Sequence, residues 1–144
     1  MQLIQIPPDY AKRVWPVMAP LLEKAVEHAR NTASLEYTLE QIVNGFAQLW
    51  SIIDDEHQNK VKAAGVTSLQ RYETGKLVCN ILLFGGENMQ EWAEKRDVLE
   101  EWARKEGCHS VRFFARKGWG SKRLLNTVLK DYELTHYLLE KELN

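Results

Sequence analysis

The sequence predicts an α/β domain built on one mixed β-sheet, in the order β-α-α-β-β-β-α-β-α-β. Three observations carry this. The stretch over 102–119 reads as the end of an amphipathic helix, a stop at Gly107, a buried strand and a sharp turn. A helix that feeds a buried strand through one glycine is the second half of a parallel β-α-β crossover. The run over 77–84, Leu-Val-Cys-Asn-Ile-Leu-Leu-Phe, is almost continuously apolar, as suits a central strand covered on both faces. Polar turns at 54–59 and 73–75 divide three strand-like segments, so a meander precedes the crossover, and helices cover both faces of the sheet.

Each element has its own signal. Leu3, Ile4 and Ile6 form a short first strand closed by Pro7-Pro8. A helix follows from Pro8 or Asp9, with Val14, Val17, Met18, Leu21, Leu22, Ala25, Val26 and Ala29 at helical spacing. Pro16 and Pro20 each remove an N–H and crowd the preceding turn, so a kink or two shorter helices is expected. Thr38-Leu-Glu-Gln41 has the form of a capping box and opens a short second helix carrying Leu39, Ile42, Val43 and Phe46. Strands are expected over 46–55, 61–72 and 77–84, with Gly85-Gly86 ending the last. Asn88 suits the cap of a third helix, whose apolar stripe is Met89, Trp92, Ala93, Leu99, Trp102 and Ala103. A strand over 111–115, a short helix over 122–130 capped by Ser121, and a final strand over 132–143 complete the order.

At 144 residues the chain fits a single domain over 1–144. Net charge is −1, so no global field draws the protein to nucleic acid or to an anionic membrane. Basic residues crowd locally at Arg112, Arg116, Lys117, Lys122 and Arg123; this is either a solvated strand end and helix face or an anion site. Cys79 and Cys108 form no CxxC pair and suit a reducing compartment. The N-terminal sequence lacks the charged and apolar regions of a signal peptide, and no apolar run is long enough to span a bilayer. A cytoplasmic protein is expected.

The element order resembles that of the GNAT superfamily of acyl-CoA N-acyltransferases. The phrase W-A-R-K-E-G-C-H-S-V-R-F-F-A-R-K-G-W resembles, more narrowly, small GNAT-like proteins encoded in phage genomes. The superfamily holds the pyrophosphate of acyl-CoA on a Q/R-x-x-G-x-G/A loop between the fourth strand and third helix. The corresponding residues here are Phe84-Gly85-Gly86-Glu87-Asn88-Met89. Two glycines permit close approach of a ligand, but the Arg or Gln is absent and Glu87 places a negative charge where phosphates belong. Gly85-Gly86-Glu87 therefore reads as a turn and an acidic helix start. The superfamily's Asn after the fifth strand is replaced by Arg116 and Trp119, and its general-acid Tyr by Leu124-Leu125; Tyr132 and Tyr137 fall outside that position.

Other constellations are sparse. Asp54, Asp55, Glu56 and His57 are a base or metal ligand in principle and a polar turn on the simplest reading. His28, His57, His109 and His136 lack metal-ligand spacing, so no metal is expected. Trp50, Trp92 and Trp102 read as core, whereas Trp15 and Trp119 are harder to bury.

Two functions follow. The first is a phage GNAT-fold protein that has lost catalysis and binds another protein, in the host cytoplasm or in the virion. Trp15, Arg116, Lys117 and Trp119 would form its contact surface, and no cofactor would be needed. The second is a divergent N-acyltransferase that takes acetyl-CoA at Gly85, Gly86, Asn88 and Met89, aided by Arg116 and Lys122, with Glu56 as base. On that reading a Gly86→Trp change abolishes acyl-CoA binding and leaves the fold intact.

Overall fold

The computed structural model describes residues 1–29, 31–87, 93–114, 129–136 and 138–143. The chain divides into two compact units, Met1–Phe114 and Ala115–Asn144. The first holds β1 (Gln2–Ile6), α1 (Pro8–His28), α2 (Leu35–Val43), β2 (Gln48–Asp54), β3 (Lys60–Arg71), β4 (Leu77–Gly86), α3 (Arg96–Lys105) and β5 (Ser110–Phe113). The sheet order is β1-β2-β3-β4-β5. The first three neighbours pair antiparallel and β4 pairs parallel with β5, as the meander and crossover require.

Helices cover the sheet on two faces. Ala11, Met18 and Leu22 of α1 and Ile42 of α2 pack with Leu49, Ala64, Val66 and Leu83 of the sheet. On the opposite face Trp102 of α3 meets Trp50 of β2 edge to face, with ring centroids 5.1 Å apart. Trp50 Nε1 donates to Thr67 Oγ1 at 3.0 Å, and that hydroxyl donates to Gln48 Oε1 at 2.8 Å, so the indole is buried without an orphaned donor.

Several boundaries differ from the sequence expectation. α1 is one helix from Pro8 to His28. Pro16 and Pro20 are both exposed; four residues apart, they share the solvent face, where water can serve the carbonyls they leave unpaired. α2 begins before the Thr38 capping box. Its cap is Ser34, whose Oγ accepts from the Tyr37 N–H at 3.2 Å, while the Thr38 hydroxyl donates back to the Ser34 carbonyl at 2.6 Å. Phe46 lies ahead of β2 and is 68% exposed. The α3 stop is a Schellman motif: the Gly107 N–H bonds the Arg104 carbonyl, the Cys108 N–H bonds the Ala103 carbonyl, and Gly107 has φ +90°.

Gly85 and Gly86 are not a turn. They belong to β4 and pair with Ala64 and Ala63 of β3.

In the second unit, residues 129–131 form a turn, closed by the Tyr132 N–H on the Leu129 carbonyl. The helix expected over 122–130 falls largely outside the described residues. The expected strand over 132–143 is corrected: its described residues carry neither strand nor helix. Leu134, Leu138, Leu139 and Leu143 there are exposed, so no buried face selects a strand register. No helix among the described residues is long and apolar enough to cross a membrane.

Candidate functional site

The site is set by two irregularities in the ladder of β4. Val66 pairs with Leu83 and Thr67 with Ile81, so Leu82 is an extra residue with no opposite number on β3. Such a bulge bends the strand and re-aims its side chains; Leu82 is 51% exposed. On the other edge, the β4–β5 pairing runs from Val78↔Ser110 to Ile81↔Phe113. β4 continues to Gly86, so its upper edge, 82–86, extends beyond the last β5 pair among the described residues. The bulge and the last described β4–β5 pair fall at the same level of the strand.

The glycines at this end serve packing. A Cβ on Gly85 would lie 1.9 Å from the Leu21 carbonyl oxygen of α1, and one on Gly86 would lie 2.6 Å from the Lys62 carbonyl oxygen and from Ala63 Cβ. α1 therefore seats its backbone directly on β4. A bulky side chain at 86 would break the β3–β4 contact, so Gly86→Trp would damage the fold and the fold-neutral expectation is corrected.

A second bulge stands beside them. Ile52 pairs with Ala63 and Ile53 with Val61, leaving Lys62 as the extra residue of β3. The Lys62 carbonyl accepts from the Glu87 N–H at 3.3 Å, and Lys62 Nζ lies 3.7 Å from Glu87 Oε2. The negative charge of Glu87, which argues against phosphate in the sequence, thus has a cation beside it.

Glu56 lies exposed in the β2–β3 turn, its N–H donating to Asp54 Oδ1 at 3.1 Å. This turn belongs to the same end of the sheet as Gly86. Along β3, Lys60 and Val66 are separated by about 20 Å of strand, so Glu56 sits far from the Leu82 level. The turn is organised by Asp54, which is 7% exposed and whose Oδ2 lies 2.8 Å from His57 Nδ1. Burial opposes ionisation of Asp54, but the hydrogen bonds from His57 and the Glu56 N–H outweigh it, and its carboxyl lies below the usual value.

Trp15 packs half-buried against the α1/α2 core. Asn88, Met89, Arg116, Lys117, Trp119 and Lys122 lie outside the described residues. Of the sequence candidates, Gly85, Gly86 and Glu56 stand at one end of the sheet. Sequence reading passes over Leu82, Lys62 and Asn80; it names Arg112 among the basic residues of a possible anion site but not its pairing with Asn80. Bulges leave no mark in composition, but Asn80 has one: it is the single polar residue in the apolar run over 77–84. Cys79 is buried beneath the same strand, and desolvation pushes its thiol up to about 12, so it is not a nucleophile.

The chain is similar over nearly its whole length to solved acetyltransferases. An aminoglycoside acetyltransferase from an uncultured soil metagenomic sample, solved with sisomicin, is 11% identical with a TM-score of 0.69, covering 99% of this chain and 96% of that one. A predicted acetyltransferase of Clostridium acetobutylicum, solved with acetyl-CoA, is 11% identical with a TM-score of 0.65, covering 98% and 95%. Glucosamine-6-phosphate N-acetyltransferase of Arabidopsis thaliana is 12% identical with a TM-score of 0.62, covering 99% and 98%. No family model and no curated protein matches the sequence. These relatives lend no support to a phage or virion role. What they share with this chain is architecture: it has the GNAT acetyltransferase fold.

Proposed function

We propose that this protein is an acyl-CoA-dependent N-acyltransferase. The observation that supports it best is the coincidence of the Leu82 bulge with the end of β4–β5 pairing at Ile81↔Phe113. A strand that leaves its neighbour exposes peptide groups at the point of divergence, and an extended amide-bearing chain can hydrogen-bond along that edge. The pantetheine arm of acyl-CoA is such a chain. The fold match to a protein solved with acetyl-CoA adds to this reading. The protein-binding reading, placed first by the missing loop motif, becomes the second choice.

Acyl-CoA supplies the acyl group: the amine nitrogen bonds to the carbonyl carbon, the C–S bond breaks, and the thiol leaves with the proton the amine gives up. The chain's part is to bind and orient. The upper β4 edge holds the arm, and the end at Gly85, Gly86 and Glu87 takes the phosphates, with Lys62 offsetting the carboxylate. Glu56 stands at that phosphate end, too far along the strand from Leu82 for one bridging water to link it to an amine held there.

Isothermal titration with acetyl-CoA tests the reading. Micromolar binding is expected, weakened about tenfold or more, equivalent to about 1.4 kcal/mol, by Leu82→Trp, which fills the opening from an exposed position. Absence of binding, or unchanged binding in the variant, overturns the assigned site.

A further inference from the structure

A polar cluster beside the point of divergence has no part in holding acyl-CoA. Asn80 and Arg112 are paired across β4 and β5, one residue before the last pair. Arg112 Nε donates to Asn80 Oδ1 at 2.9 Å, its Nη2 donates to Gln70 Oε1 at 3.3 Å and to the Tyr72 hydroxyl, and Asn80 Nδ2 donates to the same Gln70 oxygen at 2.9 Å. The guanidinium also lies over the Tyr72 ring, with Cζ 5.2 Å from its centroid. Thr67 faces α3 through its bond to Trp50. Strand alternation then turns Gln70, and the side chains it binds, to the α1/α2 face.

Every partner of Arg112 among the described residues is neutral. Its Nη1 donates to nothing among the described residues, and no carboxylate there pairs with it. Asn80, at its base, is only 8% exposed; Arg112 and Tyr72 are half-buried and Gln70 is exposed. The result is a guanidinium held in one orientation, with its full charge and part of its donor fork unused. A planar cation pre-positioned in this way fits a carboxylate. Holding β3, β4 and β5 together needs only hydrogen bonds, which a neutral side chain could supply without desolvating a charge.

We propose that Arg112, steadied by Asn80, Gln70 and Tyr72, is a carboxylate-recognition residue, and that the acceptor is a small amine bearing a carboxylate. The acceptor half of this rests on the acyltransferase reading; the anion site does not. Asn80 and Leu82 are about 7 Å apart along the strand, so a carboxylate on Arg112 can leave an amine a few ångströms away, at the level of the bulge.

The probes are 4-aminobutyrate and butylamine, which differ in the carboxylate. Full-length ¹⁵N-labelled protein is titrated with each at constant ionic strength, following the Arg112 Nε–Hε resonance, assigned with Arg112→Lys. A saturable shift with 4-aminobutyrate and none with butylamine is expected. No saturable shift, or equal shifts with both, overturns the site; should Arg112→Lys not fold, through-bond assignment of the wild-type Arg112 Nε–Hε from its own backbone identifies the resonance. With acetyl-CoA and both amines in equal amounts, the acetylated 4-aminobutyrate is expected in about tenfold excess or more. Equal products, or no product while acetyl-CoA binds, overturn the acceptor assignment. A protein that shifts with 4-aminobutyrate but binds no acetyl-CoA keeps the carboxylate site and loses the acyltransferase reading.

Discussion

At Gly85 a hydrogen atom is all that fits between β4 and the Leu21 carbonyl of α1. Gly85→Ala is expected to lower the unfolding free energy by about 3 kcal/mol, measured by urea denaturation, because backbone rather than a pliable side chain must retreat. The sequence shows two adjacent glycines, and a phosphate loop and a packing contact both use them. Only the position of α1 reveals the packing contact. Asp54 is another residue whose role depends on its surroundings. Its carboxyl is held below the ordinary value by His57 and the Glu56 N–H, against burial. A depressed carboxylate contributes stability above its unfolded value, near 4, and loses it as pH falls through the folded value. Asp54→Asn should therefore be less stable than wild type at neutral pH, with the difference vanishing in acid. A difference that persists below about pH 2 would place the effect elsewhere than in the charge.

Elements were legible where periodicity and punctuation agree. The α3 stripe and Gly107 mark a helix end that the structure builds as a full Schellman motif. Trp102 on that stripe reads as core, and its edge-to-face contact with Trp50 fastens α3 to the sheet. Trp102→Ala is expected to cost about 2–3 kcal/mol in chemical denaturation, less than a fully buried tryptophan because the side chain is half-buried. A cost near zero would mean that Leu99 and Ala103 suffice to hold the helix. Pro16 and Pro20 do not divide α1, and both stand on its exposed side, where water can serve the carbonyls they leave unpaired. The Thr38 box misled because Ser34, four residues earlier, caps the same helix. A capping pattern identifies a helix start without excluding an earlier one.

At the scale of the whole molecule, a ligand that binds only the folded state raises its stability by an amount set by the ratio of its free concentration to its dissociation constant. Acetyl-CoA at about a hundred times its dissociation constant should add about 2.7 kcal/mol and raise the melting temperature by several degrees; no shift at saturating concentration would count against the proposed function. The sequence by itself determined the α/β class, the meander and the parallel crossover, because alternation, apolar runs and glycine stops are properties of neighbouring residues. It also showed that the usual phosphate-loop residues are missing. Only the tertiary structure decided that Leu82 bulges next to the last described β4–β5 pair, that Gly85 and Gly86 serve close packing, and that Arg112 is held by neutral partners from two other segments of chain. Those facts depend on register between strands distant in sequence, which one added residue in a ladder resets without changing the local pattern.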